Sequence, residues 1–172
     1  GGKMQSFGRM TAFHGQMGMF TRALTYILSH GADGLRQVAE DAVLNANYVL
    51  RSLEDLLHAP FAHSGPCMHE ALFGDKGFAE GLSTLDLAKA LIDEGYHPMT
   101  MYFPLVVHGA MLVEPTETES KAALDQFIMA LRSVAERAMA GDESMKGAPH
   151  YAPRRRLDET QAARKPLLAW EG

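Results

Sequence analysis

A chain of 172 residues, 47% hydrophobic and 22% charged, is long enough to bury the core of one soluble globular domain. A net charge of -5 excludes the basic surface that nucleic acid demands, and no run approaches the roughly 18 consecutive apolar residues of a membrane helix. The lone cysteine, Cys67, cannot close an intrachain disulfide, so a cytoplasmic protein is expected. No signal peptide opens the chain, and Gly1-Gly2 is an opening that a cloning scar would leave.

In chain order, residues 16–30 read as a helix closed by Gly31, and a longer helix follows over 35–57. There Leu35, Val38, Ala42, Ala46, Val49, Leu53 and Leu56 recur every three or four positions and build one apolar stripe. Pro60 and Ser64-Gly65-Pro66 break the chain before an apolar run, 66–73, that reads as a strand. A glycine-rich loop, 74–81, precedes "STLDLAKALIDEG", a helix of about three turns with Ser83 as N-cap and Gly95 as its stop. Its apolar face should be Leu85, Ala88, Leu91 and Ile92. Two short strands, 100–103 and 110–113, are joined through Pro104 and His108-Gly109. The expected order is helix, strand, helix, strand, strand, helix.

The last junction, "VEPTETESKAALDQF", carries several carboxylates. Thr116 with Glu119 three residues on reads as a capping box, and Glu117 and Glu119 suit the positive end of a helix dipole. Capping does not account for Glu114, which stands before Pro115 at the carboxyl end of a strand, where sheet proteins often expose functional groups. The competing expectation is an ion pair with a tail arginine such as Arg155.

After Ala140 the composition changes to "GDESMKGAPHYAPRRRLDETQAARKPLLAW", with three prolines, three consecutive arginines and an apolar end. This reads as an extended arm with a short helical turn that wraps a neighbour, so the organisation expected is residues 1–31 as an interdomain segment and helix, 32–140 as the domain and 141–172 as the arm. Arg154, Arg155 and Arg156 should form a solvated face paired with Asp158 and Glu159, or a partner-binding patch.

Motifs for self-sufficient chemistry are missing from the chain: no phosphate-binding Gly-Lys-Ser/Thr loop, no Gly-x-Gly-x-x-Gly and no Gly-x-Ser-x-Gly elbow. His58, His63, Cys67 and His69 match no zinc spacing, and ordinary hydrogen-bonded histidines are expected. His69 and Glu70 as adjacent strand residues should point to opposite faces.

Six blocks in order, "SFGRMTAFHGQMGMFTRALTYI", "AVLNANYVLRSL", "PCMHEALF", "LDLAKALIDEGYHPMTMYFPLVV", "MLVEPTETESKAALDQF" and "PHYAPRRRLDETQAARKP", closely resemble the C-terminal part of the decarboxylating glycine dehydrogenases, the P-proteins of the glycine cleavage system. The ending resembles subunit 2 of the bacterial split form. The resemblance implies an α+β fold, the small C-terminal domain of a fold type I pyridoxal-phosphate enzyme, with about three antiparallel strands covered by helices. It implies a reaction in which glycine is decarboxylated on the cofactor and the aminomethyl group passes to the lipoylated H-protein. The partners implied are the large domain of the same polypeptide, subunit 1, and the H-protein, with glycine as substrate.

In that family the Schiff-base lysine should precede the stretch matching Gln5-Ser6-Phe7, and neither Lys3 nor Lys76, Lys89, Lys121, Lys146 or Lys165 has its context. The chain is therefore expected to be inactive and cofactor-free by itself. His69, Glu114 and Thr116 are expected near the glycine and lipoyl-arm entrance. Apolar surface around Met17, Met19, Phe20, Leu24, Leu167, Leu168 and Trp170 is expected to be exposed and to drive self-association. Two alternatives stay open: the small domain of an aminotransferase, which the want of arginine in 110–114 disfavours, and a binding module without cofactor chemistry.

Overall fold

The computed structural model describes residues 15–169. Their order is α1 (Met17–Leu53), β1 (Ala71–Phe73), α2 (Thr84–Asp93), β2 (Thr100–Met101), β3 (Met111–Val113), α3 (Lys121–Ala140) and α4 (Glu159–Arg164), with 3-10 turns at Ala62–Ser64 and Glu143–Gly147. The expected sequence of elements is thus the observed one, and α4 is the short helical turn expected in the segment after residue 140. The chain divides into two compact units, Gly1–Val38 and Ala39–Gly172.

In the first unit the helical path is interrupted at Gly31, whose φ of 63° and ψ of -174° lie outside helical values. That is the break expected at this glycine, which reaches a positive φ without the steric cost of a Cβ. Met17, Met19, Phe20 and Leu24 are exposed, as are Leu167 and Leu168 of the second unit. Trp170 lies outside the described residues.

In the second unit the sheet has the order β1-β3-β2, antiparallel throughout. Ala71 pairs with Val113 and Phe73 with Met111, while Thr100 pairs with Leu112. Ala71, Phe73, Met111 and Val113 share a buried face. They join a core with Val49 and Leu53 of α1, Leu87 and Leu91 of α2, and Leu124, Leu131 and Val134 of α3. Phe73 and Leu91 are fully enclosed, and each such side chain contributes roughly 1.5–3 kcal/mol by leaving water.

Several elements are shorter or differently placed than expected. The strand expected over 66–73 keeps only Ala71–Phe73, because the Asn47 amide engages both the N–H and the C=O of Cys67, at 2.9 and 2.7 Å. The strand expected over 100–103 stops at Met101, since Tyr102 takes a left-handed φ of 58° that no strand can continue. Helix α1 ends at Leu53 instead of running to residue 57. Ser83 caps α2 as expected, in a reciprocal box with Asp86, but the buried face is Thr84, Leu87, Ala88, Ala90 and Leu91, with Leu85 and Ile92 only half-buried.

The capping box at Thr116 and Glu119 does not form. Helix α3 starts four residues later, with Ser120 as N-cap accepting from the Ala123 amide at 3.2 Å. Thr116 has a φ of 59°, and its hydroxyl accepts from the Thr118 amide at 3.3 Å, so it closes a turn before the helix.

The segment after α3 packs on the domain. Met145 and Ala148 are buried in the core, and the Asp93 carboxylate accepts from the amides of His150 and Tyr151. Arg156 does not pair with Asp158 or Glu159. It donates to the buried Asp86 at 2.7 Å and to the carbonyl of Ala148 at 3.2 Å, while Asp158 caps α4. Arg154 and Arg155 are exposed.

Burial pushes the Asp86 carboxyl up, but the hydrogen bonds of Ser83 and Arg156 outweigh it and the net shift is downward. Removing Arg156 leaves that buried anion short of a partner, so Arg156→Ala should cost about 2 kcal/mol in denaturant unfolding. Arg155→Ala should cost no more than ~0.5 kcal/mol. Equal effects of the two would show that the Asp86 pair carries no weight.

Asp142 supplies an acid-range probe. The Ser144 hydroxyl and amide, with the Arg137 guanidinium, hold it down to about 2. Its folded value lies below the unfolded one, so its contribution is complete above the ordinary carboxylate value of about 4 and fades as pH falls from there toward about 2. Asp142→Asn should flatten the pH dependence of stability over that window and leave it alone above pH 5. A stability curve of unchanged slope in the variant would remove Asp142 from the acid response.

Candidate functional site

The pleat of β3 that buries Met111 and Val113 turns Leu112 and Glu114 the other way. Beside them an open groove of about 530 Å³ runs between the end of β3, the segment 96–100 and the first turns of α3. Glu114, Thr116 and Glu119 line one part of it, and Tyr96, Leu112 and Phe127 line another. The rings of Tyr96 and Phe127 meet edge-to-face, with centroids 5.5 Å apart and planes at 71°, so the aromatic wall is a packed one.

The loop of 114–119 is held from outside as well as by its own turn. The Asn45 side-chain amide donates to the carbonyls of Thr116 at 2.8 Å and Glu119 at 3.2 Å. Together with Pro115 this fixes a β-branched residue in the left-handed region, where a conformation of this kind costs of order 1 kcal/mol or more.

Glu114 and Thr116 are thus brought together on one groove. Among the described residues Glu114 makes no ion pair, so the expected partner Arg155 does not engage it. His69 is not part of the groove lining. It sits in the loop before β1, and the register of Ala71 with Val113 places that loop at the same end of the sheet as Glu114. Because residues 66–70 are not a strand, His69 and Glu70 do not diverge as expected: His69 Nε2 stands 4.0 Å from Glu70 Oε2. Arg156 lies elsewhere, at the first turn of α2. Tyr96 follows the other end of that helix, about 15 Å away along its axis.

Tyr96 and Phe127 are groove residues that the sequence reading did not mark, and Glu119 was read there only as a helix cap. The aromatic pair left no local signal, because its members are far apart in the chain. Among the described residues no group of three or more His, Cys, Asp or Glu side chains stands close enough to hold a metal ion. No described helix is long and apolar enough to cross a membrane.

A three-stranded antiparallel sheet packed on helices, with a groove past the end of its central strand, defines an α+β domain, and its relatives place it further. Residues 38–150 match the family described as glycine dehydrogenase, C-terminal domain, and the chain belongs to that family. It is 70% identical over 168 residues to the probable glycine dehydrogenase (decarboxylating) subunit 2 of Caulobacter vibrioides, covering 96% of this chain and 32% of that protein. The corresponding protein of Shouchella clausii is 51% identical over 168 residues, covering 97% and 34%. The chain therefore spans about one third of the length of the curated relatives it matches. A solved glycine decarboxylase (P-protein) of the glycine cleavage system, in inhibitor-bound form, superposes with a TM-score of 0.53 at 23% identity, covering 64% of this chain and 24% of that one, which establishes the shared fold.

The groove does not suit pyridoxal phosphate. A phosphate asks for a cluster of cations or amide donors, and the cofactor aldehyde asks for a lysine, whereas the groove sets one imidazole, His97, and one side-chain amide, Gln126, against two carboxylates and has no lysine or arginine. The lysine closest in sequence, Lys121, is bound to Asp125 at 2.8 Å and lies 5.1 Å from the Tyr48 ring centroid.

Strain at Thr116 can be measured directly. Thr116→Gly should leave the chain as stable or up to ~1 kcal/mol more stable, because glycine adopts the left-handed region freely. A loss greater than ~1 kcal/mol would mean that the hydroxyl turn outweighs the backbone strain.

Proposed function

We propose that this chain is the C-terminal part of a cytoplasmic glycine decarboxylase, subunit 2 of a split P-protein, that acts with pyridoxal phosphate on glycine and passes the aminomethyl group to the lipoylated H-protein. The observation that carries this reading is the 70% identity across 96% of the chain to a protein named for that activity. The cofactor, when bound by the complete enzyme, supplies the electron sink for loss of carbon dioxide. The lysine that holds it would come from the remainder of subunit 2, with subunit 1 as the second partner, and this chain by itself would be inactive.

Within that assembly the groove would form part of the entrance for glycine and the lipoyl arm. Leu112, Tyr96 and Phe127 give it an apolar wall, and Glu114 and Glu119 give it negative charge. An anionic wall disfavours the glycine carboxylate in the ground state and is indifferent to carbon dioxide, so it favours decarboxylation by differential binding. Thr116 would set the angle at which Glu114 enters the groove. His69 with Glu70 would border the same entrance from the loop before β1, and the exposed Arg154 and Arg155 would meet a partner subunit.

Glu114→Gln in the complete enzyme should lower kcat for glycine at least tenfold, about 1.4 kcal/mol of ground-state destabilisation removed, with KM falling as well and no change in thermal stability. Lost stability with turnover retained would make Glu114 structural. For the chain alone, pyridoxal phosphate added and then dialysed away should leave no internal-aldimine absorbance and no exchange of the glycine carboxyl with bicarbonate. A persistent aldimine band would refute the division of labour proposed here.

A further inference from the structure

The block "NANY", residues 45–48, carries three polar side chains on a helix that otherwise packs apolar residues on the domain core. Ala46 is fully buried, which fixes the rotation of this turn. Asn45 and Asn47 stand two positions apart, so they leave the helix in nearly opposite directions on either side of Ala46 and serve different neighbours. Asn45 reaches the loop after β3, with its amide on the carbonyls of Thr116 and Glu119 at 2.8 and 3.2 Å. Asn47 reaches the loop before β1, donating to the Cys67 carbonyl at 2.7 Å and accepting from the Cys67 amide at 2.9 Å.

Those two loops carry Glu114 and Thr116 on one side, and His69 and Glu70 on the other. The pairing of Ala71 with Val113 sets both at one end of the sheet. Tyr48 extends the pattern by donating to Asp125 of α3, the helix whose Phe127 walls the groove. A backbone loop has its own conformational freedom, and a side-chain amide that donates and accepts can pin it as a strand neighbour would.

We propose that Asn45 and Asn47 are positioning residues, a two-armed clamp on α1 that fixes the groove loop 114–119 and the loop before β1 at the same end of the sheet. The clamp rests on the reading of the groove as the functional entrance. It requires an amide at each position: a carboxylate at 45 would face two carbonyl oxygens, and an alanine would hold nothing.

Alanine is a strong helix former, so Asn45→Ala and Asn47→Ala should leave α1 intact. In the chain, backbone order parameters of 114–119 should fall from near 0.85 to below about 0.6 in Asn45→Ala while those of 67–70 keep their values, and Asn47→Ala should do the reverse. In the complete enzyme each variant should lose about tenfold or more in kcat with KM for glycine unchanged or lower, and Asn45→Gln, which keeps the donors, should recover part of the loss. Loops as rigid in the alanine variants as in the parent overturn the clamp, whatever the turnover. Loosened loops with normal turnover overturn the positioning role alone if Glu114→Gln is crippled. They overturn it together with the groove reading if Glu114→Gln is also active.

Discussion

Strands of two or three residues cannot hold a sheet by backbone hydrogen bonds, so this fold depends on burying one face of β3. Met111 and Val113 enter a core closed by α1, α2 and α3, and the same alternation sends Leu112 and Glu114 to the groove. Core and candidate site are therefore two sides of one pleat. A register slip of a single residue would bury the Glu114 carboxylate and expose Met111, and the cost of an unpaired buried charge forbids it.

Polar groups tie this small core to segments distant in the chain. Thr84, fully buried at the start of α2, donates its hydroxyl to the Gly109 carbonyl at 2.6 Å and so anchors the turn that delivers β3. Gly109 itself has a φ of 57°, and a Cβ there would lie 2.0 Å from the Asp75 carboxylate, so no other residue fits the turn as it stands. Asp86, two residues further along α2, accepts from Ser83 and Arg156 and binds residues beyond α3 to the same helix. Among the described residues no buried side-chain nitrogen or oxygen lacks a partner, which is what a core of this size requires of its polar members.

The order of elements was legible because it is written in local periodicity. The stripe through Ala46, Val49 and Leu53, the Ser83 cap and the short apolar runs around Leu72 and Leu112 are all patterns a few residues wide. What escaped was decided by side chains meeting backbone far away. Asn47 removes Cys67 from a strand, Asn45 draws Thr116 and Glu119 out of a capping box, and Ser120, a cap with no glutamate at its third helical position, takes over. Arg156 pairs with a residue seventy positions earlier, a choice no window around Asp158 could reveal. Glu114 was legible for the complementary reason: local rules left it unexplained, and among the described residues it has no ionic partner.

The electrostatics of the groove follow from which charges are already spent. Lys121, at the start of α3, is committed to Asp125 and to the face of Tyr48, and among the described residues no ion pair joins it to Glu114 or Glu119. Two like charges at about 4 Å repel by about 1 kcal/mol in water and more beside low-dielectric walls such as Tyr96 and Phe127. In the proposed reaction an incoming carboxylate feels that repulsion and neutral carbon dioxide does not. The interaction therefore raises the ground state selectively, provided the loop holds the carboxylates in place. An arginine here would hold the substrate carboxylate and stabilise the very group that must leave. Glutamates on a loop held by Asn45 would instead place fixed charge where the proposed decarboxylation relieves it.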